Sequence, residues 1–178
     1  MAKLSPVQQK FILHWGEMGT RWGINRTVAQ IHALLFISER PLNADDLVQA
    51  LDVARSNVSN SLKELQGWGI VKRVHVLGDK RDHFESLKDV FEMFRIVLDE
   101  RKKREIDPTI TLLRTCVAEA AKDKETDEYT EQKLRDLAAF FEITTAWYGQ
   151  IRSWPTSALT KFVKLGDRVR KLLGLGGD

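Results

Sequence analysis

The sequence predicts a mainly α chain built on a winged helix-turn-helix with a small β-hairpin wing, and with additional helices before and after it. Three observations predict this. Apolar residues recur at steps of three and four through most of the 178 residues. Only one stretch, "GIVKRVHVLGDKRDHFES", switches to alternation, with Val71, Val74 and Val76 before a "GDKR" turn and Phe84 after it. That stretch follows directly on two helical segments joined by a tight connection, "ADDLVQAL" and "ARSNVSNSLKEL", which is the order of a helix-turn-helix with a wing.

The first helix starts at "SPVQ", where Ser5 is an N-cap, Pro6 takes the first helical position and Gln8 completes a capping box. Val7, Phe11, Trp15, Met18 and Trp22 form its expected apolar face, which ends near Gly23. Asn25 caps a second helix with Val28, Ile31, Leu34 and Leu35 inward, and Pro41 breaks it. Asn43 opens a third, short helix whose Asp45 and Asp46 lie in the first turn, where carboxylates complement the helix dipole. The fourth helix runs to about Gly67 with Val58, Leu62 and Leu65 on one face.

Beyond the hairpin the pattern is helical again. A helix from Ser86 carries Leu87, Val90, Phe91, Phe94, Val97 and Leu98, capped by the spacing of Ser86 and Asp89. "DP" at Asp107 restarts a helix to about Lys122, another runs from about Thr130 to Gln150, and an amphipathic one from Ser157 to Leu173. The expected organisation is an N-terminal helix over residues 1–24, a winged helix-turn-helix over 25–86 and a C-terminal helical region over 87–178.

With 43% hydrophobic residues the chain can bury a core unaided. Its formal charge of +3 is a mild surplus, but the surplus has an address. Between Arg55 and Arg81 six cations face only Glu64 and Asp79. One cysteine, Cys116, excludes an intramolecular disulfide framework and fits a reducing compartment. No apolar run approaches the roughly 18 residues of a membrane span and none follows a basic start, so the chain is expected in the cytoplasm, off the membrane.

"ARSNVSNSLKEL" is rich in residues that a helix interior uses sparingly. At about 100° per residue, with Val58, Leu62 and Leu65 buried, Ser56, Asn60 and Lys63 fall near the opposite pole, flanked by Asn57 and Ser59. Together with Arg55 they supply donors for phosphate oxygens and base edges of double-stranded DNA. Lys80 and Arg81 at the wing tip supply cations for a minor groove. The rival reading is a winged-helix protein-interaction module that touches no nucleic acid.

The segments "FILHWGEMGTRWGINRTVAQIHALLFIS", "LNADDLVQALDVARSNVSNSLKELQGWGIVKRV" and "GDKRDHFES" resemble the MarR superfamily of transcriptional regulators, in its GbsR-type branch. The pieces in order are "HWG" at His14, "NRT" at Asn25, "SNVSNSLKEL", "GIVKRV" and "GDKRD". The resemblance implies a homodimeric DNA-binding repressor or activator, with repression the expected sign, N- and C-terminal dimerisation helices and a small-molecule or environmental signal. It implies base reading at Asn60 and groove insertion at Arg81. The sequence departs from the pattern at Ala54, where a capping serine or threonine is usual, and at Asn60, where arginine is common.

Other constellations carry less. Trp147, Tyr148 and Trp154 lie close in sequence and are the candidate cage for a quaternary ammonium osmolyte, a signal that the resemblance suggests. Trp15 and Trp22 read as core or interface. Cys116, among Leu112, Leu113 and Val117, reads as a buried small hydrophobe rather than a peroxide-sensing thiol. His14, His32, His75 and His83 have no zinc spacing, although His75 and His83 have the separation to meet across the hairpin. No metal, no cofactor and no catalytic constellation is expected.

Overall fold

Helix α1 (Pro6–Arg21) begins at the capping box: Ser5 Oγ accepts from the Gln8 amide, and the Gln8 side chain accepts from the Ser5 amide at 2.9 Å. The computed structural model describes residues 4–165. They fall into two compact units, divided between Val97 and Leu98. The expected apolar stripe of α1 is not its buried face. Ile12, Gly16 and Gly19 are buried, whereas Val7 is 78% exposed and Trp22 45%. The reason is close approach to the next helix: a Cβ on Gly19 would sit 2.5 Å from the Ala29 Cβ. The small residues set the contact, and the large ones are carried to its rim.

Gly23, at φ +74°, ends α1, and the Ile24 amide returns to the Gly19 carbonyl at 2.8 Å. Asn25 then caps α2 (Arg26–Ile37) by accepting from the Thr27 amide. This helix is buried nearly all round, with Ile31, Leu34 and Leu35 at the centre of the core. Each such side chain stabilises the fold by about 1.5–3 kcal/mol through removal from water.

A strand that the sequence pattern did not reveal comes next. Leu42–Asn43 forms β1, too short for any alternation to register. Asn43 also caps α3 (Ala44–Leu51), accepting from Asp46, whose carboxylate accepts the Asn43 amide in return. The turn to α4 (Arg55–Gly67) passes through Asp52 in the left-handed region, a conformation that Asp tolerates.

The wing is β2 (Val71–Val76) and β3 (Asp79–Ser86), antiparallel, with β1 on the far side of β3. Leu77 and Gly78, at φ +85°, make the two-residue turn. Val74 pairs with His83, while His75 is exposed and His83 buried, so the two histidines lie on opposite faces of the hairpin. Lys88, just past β3, donates to the carbonyls of Leu35, Phe36 and Ser38 at 2.8–2.9 Å. The ammonium thereby satisfies carbonyls that the end of α2 leaves open.

Helix α5 (Val90–Arg101) is capped by Asp89, which accepts from the amides of Phe91 and Glu92. Ser86 does not share in that cap, because it is the buried last residue of β3. Asp107 begins α6 (Asp107–Ala120), with Pro108 in its first turn, and one π-helical turn, Lys102–Ile106, leads into it from α5. Cys116, on α6, is half-buried rather than buried. Asp127 caps α7 (Glu128–Arg152), which has no buried residue, and α8 (Thr156–Lys164) follows. The expected extension of the last helix to Leu173 lies outside the described residues.

Candidate nucleic-acid interface

The buried face of α4 consists of Val58, Ser61, Leu62 and Leu65. Packing those four against the core turns the opposite face outward: Arg55, Ser56, Asn57, Asn60 and Lys63 are exposed and Ser59 is half-buried. The angular reading of the sequence thus places every candidate side chain of the helix except Ser59 in full contact with solvent. Ser61 was not foreseen in the core, and its smallness lets α4 lie close to its neighbours. Ala54 is the N-cap and makes no side-chain capping bond, and Ser56 does not supply one.

The wing tip stands beside this face. Arg55 and Arg81 line one polar cleft of about 410 Å³, together with Asp45, Ser59, Lys63 and Arg73. Asp45 joins its two sides, since one carboxylate oxygen accepts from Arg55 and the other lies 3.7 Å from Arg81. Arg81 is also held by Asp79, whose carboxylate accepts from Nε at 2.9 Å and from Nη2 at 2.5 Å. Those bonds, and the Arg81 backbone amide, hold the Asp79 carboxyl well below the usual carboxylate range. The same pairing raises the Arg81 pKa further.

Along the wing, Lys72 pairs with Glu85 at 2.8 Å and Arg73 with Asp82 at 3.2 Å, each across the strands. Lys80 is exposed. Arg55, Lys72, Arg73 and Arg81 are thus each paired with a carboxylate. Exposed pairs of this kind contribute only about 0–1 kcal/mol each, so a phosphate can compete for the cations. Sequence reasoning assigned Asp45 to the helix dipole alone. Its second role depends on Arg55 and Arg81 meeting in space, and only the excess of positive charge around them hinted at a partner.

The other candidate residues separate. Trp147 and Tyr148 line a cavity of about 460 Å³ in the second unit, beside Leu98, Phe140 and Phe141. Tyr148 donates to Asp99 at 2.9 Å, and Asp99 also accepts from Arg152, which holds its pKa down. Trp154 is not in that wall; its ring meets Phe162 edge-on at 5.4 Å. Among the described residues no cluster of three or more His, Cys, Asp or Glu has the geometry of a metal site. No described helix is long and apolar enough to cross a membrane.

Residues 22–82 match the model of the MarR family. The HTH-type transcriptional repressor GbsR of Bacillus subtilis (strain 168) is 22% identical over 149 residues, which are 80% of this chain and 82% of that protein. A crystal structure described as a transcriptional regulator superposes with a TM-score of 0.62 at 17% identity, covering 89% of this chain and 99% of the other. That likeness is one of fold. The matched residues 22–82 hold α2, β1, α3, α4 and the wing tip, the elements that build the polar cleft.

Proposed function

We propose that the chain is a MarR-superfamily regulator of the GbsR type that binds double-stranded DNA as a homodimer, with α4 in the major groove. The observation that carries this reading is the shared cleft, in which the start of α4 and the wing tip present arginines to one space. Arg55, Ser56, Asn57, Ser59 and Asn60 meet base edges or the adjacent phosphates, and Lys63 meets a phosphate. Lys80 and Arg81 enter the minor groove beside the half-site. The work is binding, with no chemical step.

A homodimer places two α4 helices about 34 Å apart, one turn of the duplex. The support for it is an unpartnered stripe on α7, where Leu137, Phe140, Ile143 and Trp147 are exposed at steps of three and four. Repression is the sign given by the name of the Bacillus subtilis relative. A cytoplasmic setting follows from the chromosomal target, and a small-molecule signal is the expected means of control.

The deciding experiment is recovery of bound fragments from genomic DNA, followed by anisotropy titration of the recovered duplex across salt concentrations. The regulator binds a discrete site with an affinity that salt erodes steeply. A protein-interaction module shifts no duplex even at low salt.

A further inference from the structure

The outermost residue of the wing is apolar and buries nothing in the chain. Leu77, at the turn between β2 and β3, is 103% exposed, as open as in an extended chain. Val7, the next most exposed of the large apolar side chains among the described residues, reaches only 78%. Val76, beside Leu77, is exposed as well. Turn chemistry does not ask for leucine here. The first position of a two-residue turn favours Asn, Asp or Gly, and the positive φ falls on Gly78 alone.

The turn is held from behind. Val76 pairs with Asp79 and Val74 with His83, so the ladder steps over Lys80, Arg81 and Asp82, which stand opposite His75 alone. The Asp79 carboxylate closes over this irregular stretch, accepting from the Arg81 amide and from Arg81 Nε, each at 2.9 Å. The carboxylate nearest the turn is thereby turned toward Arg81 and its charge is balanced there, while Lys80 stays exposed. What the wing presents outermost is an apolar point with cations just behind it.

Such a point suits a partner that carries negative charge at its surface and apolar surface within reach of it. A duplex has both. Its phosphates attract Lys80 and Arg81 but offer Leu77 no apolar surface, whereas the faces of base pairs do. Apolar side chains wedged between base steps from the minor groove unstack them in part, and burial of the side chain offsets some of the cost. Pyrimidine–purine steps unstack most readily.

We propose that Leu77 is an apolar wedge that enters the minor groove ahead of Lys80 and Arg81 and partly unstacks one base step beside each half-site. A pyrimidine–purine step at that place is then part of the recognised sequence. This inference rests on the DNA reading above.

The test compares the full chain with Leu77→Ala on a duplex recovered from genomic DNA, with 2-aminopurine placed at one adenine after another beside the half-site. Leu77 packs against no core residue, so the variant folds as the parent does. In the parent we expect 2-aminopurine fluorescence to rise on binding at a single step, where the base unstacks. Leu77→Ala should bind the duplex about tenfold more weakly, the share of one buried leucine, with no rise at that step and an unchanged dependence on salt. In a randomised-site selection the parent should favour TA, CA or TG at that step, and Leu77→Ala should not. The wedge is overturned, with the DNA reading intact, if the duplex is bound and no base unstacks, or if Leu77→Ala binds it as tightly as the parent. A shallower salt slope in Leu77→Ala overturns it too, by tracing the loss to displaced phosphate contacts. A smaller assembly of free Leu77→Ala in sedimentation overturns it by assigning Leu77 to a contact between copies. A chain that retains no genomic fragment at low salt refutes the wedge and the DNA reading together.

Discussion

Asp45, in the first turn of α3, accepts a hydrogen bond from Arg55, in the first turn of α4, and so ties together the two helices of the helix-turn-helix on their outer side. The same carboxylate lies 3.7 Å from Arg81 of the wing. It positions two cations and, by its own charge, opposes the approach of a phosphate. Asp45→Asn is expected to tighten binding to a random duplex by about three- to tenfold at low salt, with little loss of stability, since exposed pairs are weak. Anisotropy at low salt reads this directly, and an unchanged affinity would detach Asp45 from the interface.

Arg81→Ala removes one cation from the wing and the guanidinium bonds to Asp79. Operator affinity should fall, and the slope of log K against log salt should become shallower by about 0.9, the share of one phosphate contact. A weaker complex with the original slope would show that Arg81 acts on the shape of the wing rather than on DNA.

Asn60 is exposed near the middle of α4. Asn60→Ala is expected to cost about 1–3 kcal/mol at one base position while changing random-duplex affinity less than about twofold. Selection from a randomised-site pool, compared with the parent, locates the position that loses preference.

Lys88→Met deletes the donor to three carbonyls at the end of α2. The loss should be about 1–3 kcal/mol, seen as a lower urea midpoint at constant m. The three carbonyls, left with fewer donors, account for it.

His32 also predicts a pH dependence. Burial, with the charge of Lys88 as a second cause, sets its folded pKa at about 4, below the ordinary histidine value of 6.5, so the unfolded chain binds the extra proton first as pH falls. The fold is unaffected above the upper value and loses stability on acidification between the two, by about 2 kcal/mol from pH 7.5 to pH 5. Urea midpoints across that interval should decline in the parent and decline less in His32→Leu.

How much of this was legible beforehand depended on how local each cause is. The starts of α1, α2 and α3 were readable because Ser5, Asn25 and Asn43 act on amides two or three residues away. The outward face of α4 followed from three apolar residues and the helical period. β1 was not readable, because two residues carry no period and its pairing with His83 and Phe84 lies forty residues on. The inward face of α1 was misjudged for a related reason: Gly19 is buried by the nearness of Ala29, which hydrophobic spacing does not encode. Asp89 rather than Ser86 caps α5 because Ser86 is itself the last residue of β3. The cleft at Asp45 arises where distant segments converge.

Asn43 belongs to the sheet and to the helix-turn-helix at once, as the partner of His83 in β3 and the cap of α3. The wing is thus rooted in the residue that starts the first helix of the reading unit, and Lys88 fastens its other end to α2. Wing and helix-turn-helix thus share residues and are not joined by the chain alone. Their relative placement is decided when the chain folds, so little ordering entropy is left to lose when the duplex arrives. On the proposed function, a duplex whose groove spacing does not fit must itself bend, and discrimination by the flexibility of DNA is expected beside discrimination by its bases.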